Sequence, residues 1–186
     1  MKRMLDFTAA LILLILAMVP MLVIAAVVRL TSREPAIYWS ERVGKGNIIF
    51  RMPKFRTMHV EVPEVATHLL HDVGSYLTPV GAFLRKYSLD ELPQLWSVLK
   101  GDMSLVGPRP ALYNQDDLIA LRTQKKIDAL LPGVTGWAQI HGRDEVSIPQ
   151  KVALDEHYLG HQSLSLDMKI LWRTVFKVVK KEGVAH

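Results

Sequence analysis

From Phe7 to Val28 the chain carries no charged residue, and only Thr8 and Pro20 break an otherwise apolar run. As a helix this stretch is roughly 33 Å long at about 1.5 Å per residue, enough to cross the hydrocarbon of a bilayer. Lys2, Arg3 and the small pair Ala25-Ala26 invite comparison with a secretory leader. The run nevertheless exceeds the roughly 7 to 15 apolar residues of a signal-peptide core, which favours an uncleaved anchor. It is also too uniformly apolar for a helix resting on one side of a small soluble domain.

The flanks complicate the orientation. Lys2 and Arg3 precede the run and Arg29, Arg33 and Arg42 follow it, and basic residues beside a membrane segment stay on the cytoplasmic side. Pro20 has no amide hydrogen to give to the helix, so a kink is expected there. Charge and proline together leave two arrangements open: a re-entrant helix that bends at Pro20 and returns to the same side, and a bent but complete span.

After the anchor the pattern becomes that of a compact mixed domain. Thr31 to Gly46 reads as a polar connection, Asn47 to Met52 as a short strand, and Lys54-Phe55-Arg56-Thr57-Met58 as its hairpin partner. Glu61 to Val73 is expected to be an exposed helix. Gly81 to Lys100 reads as a helix in two pieces with Pro93 opening the second, and Asp116 to Leu131 as a helix ended by Pro132-Gly133. The last helix, about Leu166 to Lys181, sorts Lys169, Arg173, Lys177, Lys180 and Lys181 into one arc and Met168, Leu171, Trp172, Val175, Val178 and Val179 into another. It either lies on a membrane surface or packs its apolar side on the core. The fold class expected is therefore α+β and helix-dominated, with a small β-hairpin and interfacial amphipathic helices. Two domains are expected: 1–30 as a membrane anchor and 31–186 as a membrane-associated domain.

Charge and composition narrow the chemistry. With 23 Lys and Arg against 18 Asp and Glu the chain is formally +5, and about +4 remains once Lys2, Arg3 and Asp6 are set aside. A modest basic excess beside a membrane suits anionic headgroups or phosphate ligands, and no nucleic-acid-binding motif is present. No cysteine occurs, which removes disulfides, thiolate metal sites and cysteine nucleophiles. Gly44-Lys45-Gly46 is too short for a phosphate-binding P-loop. His157 and His161 have the spacing of zinc ligands without the accompanying glutamate.

The informative segment is Tyr87-Ser88-Leu89-Asp90-Glu91-Leu92-Pro93-Gln94-Leu95, followed by Gly107-Pro108-Arg109-Pro110. Two adjacent carboxylates stand near an arginine stiffened by prolines on both sides. A carboxylate that attacks phosphorus or holds a divalent cation, beside a guanidinium that grips phosphate, is what phosphoryl transfer requires. A competing account is structural: Ser88-x-x-Glu91 fits a capping box, and Asp90 could itself cap the next helix. Neighbouring helical positions point about 100° apart, so the two carboxylates are expected to have different roles.

These motifs, in this order along nearly the whole chain, resemble the small monotopic bacterial phosphoglycosyl transferases, the bacterial sugar transferase family. The likeness rests on Lys2-Arg3 and Asp6, Pro20, Arg42 and Gly44, Lys54 to Met58, Arg85 and Ser88 to Leu95. It continues through Lys100 to Ser104, Gly107 to Pro110, Pro132 to Gln139, Gly142-Arg143, and Asp155, Tyr158, Ser163 and Asp167. The sequence departs from the family at Val19, Pro53 and His141.

The resemblance implies an enzyme that moves sugar-1-phosphate from a UDP-sugar to polyprenyl (undecaprenyl) phosphate and releases UMP, opening assembly of a surface glycan or glycoconjugate. It implies Asp90 as the nucleophile carrying a phosphosugar, Glu91 as its partner, and Mg2+ held at Asp90 and Glu91. Arg85, Arg109 and Arg143 match phosphate-binding positions, and Lys54 and Arg56 a basic stretch beside the site. The family anchor is re-entrant, which implies a monotopic protein on the cytoplasmic face of the bacterial inner membrane, touching membrane lipids; a homodimer is compatible with it.

Overall fold

The computed structural model describes residues 1–60, 62, 73–142 and 146–180. It is helix-dominated α+β, as expected. The helix expected over Glu61 to Val73 lies almost wholly outside the described residues, and Arg143 and Lys181 lie outside them as well.

Helix α1 runs from Lys2 to Ser32 with Pro20 inside it. Most of its apolar side chains face outward, with Leu16 and Leu30 exposed by 70% and 80%. A core helix of a soluble domain would bury that surface. Both ends of α1 nonetheless touch the same globular body. Near the start, Arg3 donates to Val98 O and Leu99 O, closing the carbonyl end of α3 (Gln94–Lys100), and buried Asp6 accepts from Ser104 Oγ at 2.8 Å and Leu105 N at 3.3 Å. Near the finish, Val28 packs with Phe55 and Leu84.

The hairpin differs from the expected one. Its strands are β1 (Ile37–Val43) and β2 (Ile49–Phe55), antiparallel, with Ile37 opposite Phe55 and Val43 opposite Ile49. The residues read as a polar connection therefore supply the first strand, Lys54 and Phe55 continue the strand of Ile49 to Met52 instead of forming its partner, and Arg56 to Met58 lie outside both strands. The reason is burial: β2 turns Met52 and Phe55 into the core, and β1 pairs along its edge. Gly46 and Asn47, with φ of 63° and 59°, make the turn.

After α2 (Gly81–Lys86), a single 3-10 turn over Leu89–Glu91 leads into α3. Two short parallel strands, β3 (Ser104–Val106) and β4 (Gly133–Thr135), pair at Ser104–Gly133 and Val106–Thr135. The chain approaches itself so closely past them that a Cβ on Gly136 would sit 2.0 Å from Gly107 O, and one on Gly133 2.1 Å from Gly107 N. Only glycine fits there. Helix α4 covers Asp116–Gln124, shorter than expected, because Ile127–Ala129 forms a separate 3-10 turn. Helices α5 (Trp137–Ile140), α6 (Ile148–Gly160) and α7 (Leu164–Lys180) are the last elements of the described residues. The main core gathers Ala10 of α1, Met52 of β2, Leu95 and Val98 of α3, Leu105 and Val106 of β3, Tyr158 of α6 and Ile170 of α7.

Candidate active site

Asp90 and Glu91 occupy the 3-10 turn between α2 and α3, and both are buried. Ser88, which precedes them, takes the left-handed conformation at φ 53°, and no side-chain cap forms at this turn or at the start of α3. The capping-box account of Ser88 and Glu91, and that of Asp90 as a cap, are thus corrected. With Ser88 at positive φ the chain turns the two carboxylates into the protein instead of back on the helix end.

What they meet is positive charge. Lys54, next to last in β2, places Nζ 3.1 Å from Glu91 Oε1, and Arg109 places Nη2 2.8 Å from the same oxygen. Asp90 holds no ion pair of its own among the described residues, but lies in the field of Lys54, Arg85 and Arg109. Burial pushes its carboxyl above the usual carboxylate range; Lys54 opposes that rise, Glu91 adds to it, and Arg85 and Arg109 oppose it in turn. Burial likewise pushes the Lys54 ammonium down, against the pull of Glu91, while Arg109, Asp90 and Arg42 contribute smaller effects.

The dyad is therefore unequal. Glu91 is committed to two cations; Asp90 sits beside them, desolvated.

Of the residues expected from sequence, the structure brings Lys54, Arg85 and Arg109 to the dyad. Arg85 closes α2 and places Nη1 3.7 Å from Met58 Sδ. Arg56 is turned elsewhere: it donates to Pro35 O at 2.9 Å and lies over the Tyr38 ring. Pro20 is exposed inside α1. One helical step beyond the dyad, Gln94 is buried with Nε2 lacking a hydrogen-bond partner among the described residues.

Two residues close to this machinery had no assigned role. Arg122 on α4 forms a buried pair with Asp155 on α6 and donates from Nη1 to Arg109 O at 2.8 Å; Arg42 on β1 donates to Pro110 O at 3.3 Å. Nothing in the local sequence around Arg122 marks it, since its partner lies 33 positions away.

The donor set suits a hard cation. Magnesium takes one or two carboxylates and completes its shell with phosphate oxygens and water, which Asp90 and Glu91 satisfy. Among the described residues no group of three or more His, Cys, Asp or Glu gathers to form a richer cage.

An exposed apolar helix and a buried carboxylate dyad facing lysine and arginine are the features the sequence led one to expect of a phosphate-handling enzyme with a hydrophobic anchor. The chain belongs to the bacterial sugar transferase family, whose model matches residues 1–181. It is 45% identical to the uncharacterized sugar transferase EpsL of Bacillus subtilis (strain 168), over 99% of this chain and 90% of that protein. It is 37% identical to the undecaprenyl-phosphate glucose phosphotransferase of Komagataeibacter xylinus over 94% of this chain and 35% of that protein. To the UDP-N-acetylgalactosamine-undecaprenyl-phosphate N-acetylgalactosaminephosphotransferase of Aeromonas hydrophila it is 39% identical, over 98% of this chain and 44% of that protein. The chain thus spans most of the first relative and less than half of the other two. The family resemblance and the expectation of a sugar-transferring enzyme are both borne out.

Proposed function

We propose that this chain transfers sugar-1-phosphate from a UDP-sugar to a polyprenyl phosphate, with Asp90 as the covalent nucleophile. The observation that carries the reading is the inequality of the dyad: Glu91 holds Lys54 and Arg109 on one oxygen, and Asp90, in their field, has no ion pair among the described residues. A desolvated carboxylate is a stronger nucleophile than a solvated one, and a carboxylate kept out of ion pairs is not neutralised by its neighbours.

In the first displacement an Asp90 carboxylate oxygen bonds to the sugar-bearing phosphorus. The bond from that phosphorus to the bridging oxygen breaks, and UMP leaves with the oxygen and its electrons. In the second, an oxygen of the lipid phosphate bonds to the same phosphorus and the acyl phosphate opens, returning Asp90 as carboxylate. Lys54, Arg85 and Arg109 offset the charge that gathers on the phosphate oxygens in both steps. Glu91 orients Lys54 and Arg109. Mg2+ bound through Asp90 and Glu91 would supply further neutralisation of the diphosphate.

The anchor fits this reading. A nucleophile that must meet a lipid headgroup belongs at the membrane surface. The docking of both ends of α1 on one catalytic body supports a re-entrant, monotopic arrangement on the cytoplasmic face, where a UDP-sugar is available. The outward Met168, Trp172, Val175 and Phe176 of α7, beside Lys169 and Arg173, suit an interfacial helix.

The test is to incubate the membrane-bound protein with undecaprenyl phosphate, magnesium and a panel of UDP-sugars. Repeated turnover of UMP that requires the lipid, and, when the lipid is withheld, a single equivalent of UMP with a phosphosugar adduct on Asp90, are the expected results. Release of free sugar-1-phosphate with water as acceptor would overturn the lipid-transfer reading.

A further inference from the structure

Pro108 and Pro110 carry no amide hydrogen, so the turn that presents Arg109 cannot be tied down by its own N–H groups at those positions. It is tied by its carbonyls instead. Gly133 N of β4 donates to Pro108 O at 2.9 Å, Arg122 Nη1 of α4 to Arg109 O at 2.8 Å, Arg42 Nη1 of β1 to Pro110 O at 3.3 Å, and Val43 N of β1 to Ala111 O at 2.9 Å. Four consecutive carbonyls are thus taken by three different elements. Of these four donors, Arg122 is the one that reaches Arg109, a residue paired with Glu91.

Arg122 is held in turn. Its Nε and Nη2 both reach Asp155 Oδ2, at 3.1 and 2.6 Å, and the two residues are 8% and 1% exposed. A buried guanidinium–carboxylate pair contributes little net stability relative to apolar side chains of similar size, so gluing α4 to α6 does not account for its form. A planar fork can serve a carboxylate on one side and a carbonyl on the other, which a lysine ammonium cannot do in the same geometry.

We propose that Arg122, fixed by Asp155, is a positioning residue that aims the Arg109 side chain at Glu91 and so sets the grip on the donor diphosphate. This rests on the phosphoryl-transfer reading of the dyad. The path runs Asp155, Arg122, the Arg109 carbonyl, the Arg109 guanidinium, Glu91. Arg42 steadies the neighbouring carbonyl and is the lesser partner, given its longer bond.

The test is a double-mutant cycle in full-length protein in membranes, with UMP release from the preferred UDP-sugar as readout. Arg122→Lys is expected to lower kcat/KM at least ten-fold when Arg109 is present and less than two-fold in an Arg109→Lys background. Equal losses in both backgrounds, or no loss in either, overturn the proposal, because a merely structural role does not depend on Arg109. Hydrogen–deuterium exchange of the segment 106–113 is followed in the same variants without substrate. Arg122→Lys is expected to speed exchange there at least three-fold while α3 is unchanged, and an unchanged segment overturns the proposal whatever the turnover. If the wild type releases no UMP from any donor, the transferase reading fails and the exchange alone decides the clamp. Should Arg122→Lys not fold, Asp155→Asn, which keeps an acceptor oxygen, enters the same cycle with the same criteria.

Discussion

Lys2 Nζ pairs with Asp167 Oδ2, joining the first turn of α1 to the first turn of α7 across 165 positions of sequence. Asp167 also accepts from the Tyr158 hydroxyl at 2.7 Å through Oδ1, so one carboxylate holds three helices together. Burial and that bond push the Tyr158 hydroxyl well above its ordinary range, keeping it a neutral donor.

The two ends of this junction differ in burial, with Lys2 far more exposed than Asp167. Lys2→Ala therefore removes a partly screened charge and is expected to cost about 0.5–1 kcal/mol. Asp167→Ala leaves the buried Tyr158 hydroxyl, among the described residues, with its 3.3 Å contact to Val106 O alone and is expected to cost about 2 kcal/mol. Thermal melting of the detergent-solubilised protein checks the order; a larger loss from Lys2→Ala would show that the charge, not the hydroxyl, governs the junction.

Asp90 links function to stability with a definite sign. Its folded-state carboxyl is raised by burial, so it favours the fold while protonated, below its unfolded value, and that contribution is lost as pH rises through the raised folded value. At neutral pH the ionised group is a burden. Asp90→Asn is expected to abolish UMP release and to raise Tm by a few degrees at pH 7, roughly the effect of 1 kcal/mol in a chain of this size. The gain should shrink as pH is lowered towards the range of an ordinary carboxyl. For the wild type the same shift means that UMP release rises with pH on its acid limb, with a midpoint above that of an exposed aspartate. A variant less stable than wild type at pH 7 would contradict the burial account.

Glycines separate close approach from backbone conformation. Gly136→Ala would drive a Cβ to 2.0 Å from Gly107 O, beside the turn of Arg109, and is expected to abolish expression of folded protein. Gly46→Ala meets nothing within 4 Å but adopts φ +63°, and is expected to cost about 1 kcal/mol and leave turnover intact. Soluble yield, melting and UMP release together distinguish the two.

How much of this was legible in sequence depended on range. The anchor announces itself through composition alone, and the dyad through adjacent side chains, both local signals. The hairpin was misplaced because Ile37-Tyr38-Trp39 follows Pro35 and runs into Ser40, Glu41 and Arg42, a polar stretch that becomes a strand only because β2 needs an edge partner. Strands β3 and β4 are three residues each and 29 positions apart in register, too short for any alternation to show. Helix α6 did carry a signal that went unread: Ser147 and Gln150 form a capping box with Pro149 in the first turn. Arg122 carried none, since a charged residue on a short helix reads as surface until Asp155 is seen to bury it.

The anchor yields the sharpest test of the proposed topology. At about 1.5 Å per residue the 31 residues of α1 run to roughly 46 Å if straight, longer than the roughly 30 Å hydrocarbon core. A straight crossing would put Arg3 and Val28 on opposite sides or within the bilayer, yet Arg3 caps α3 and Val28 packs on Phe55 of the same body. These contacts at both ends of α1 support the proposed re-entrant path over a straight crossing. Because the chain has no cysteine, single cysteines can be introduced at Met4, which is exposed, and, separately, at Arg33 without background. Both are expected to react with a membrane-impermeant maleimide applied from the cytoplasmic side in inverted vesicles, and neither from the outside of intact cells. Labelling of one position from each side would establish a complete span and remove the re-entrant anchor from the mechanism.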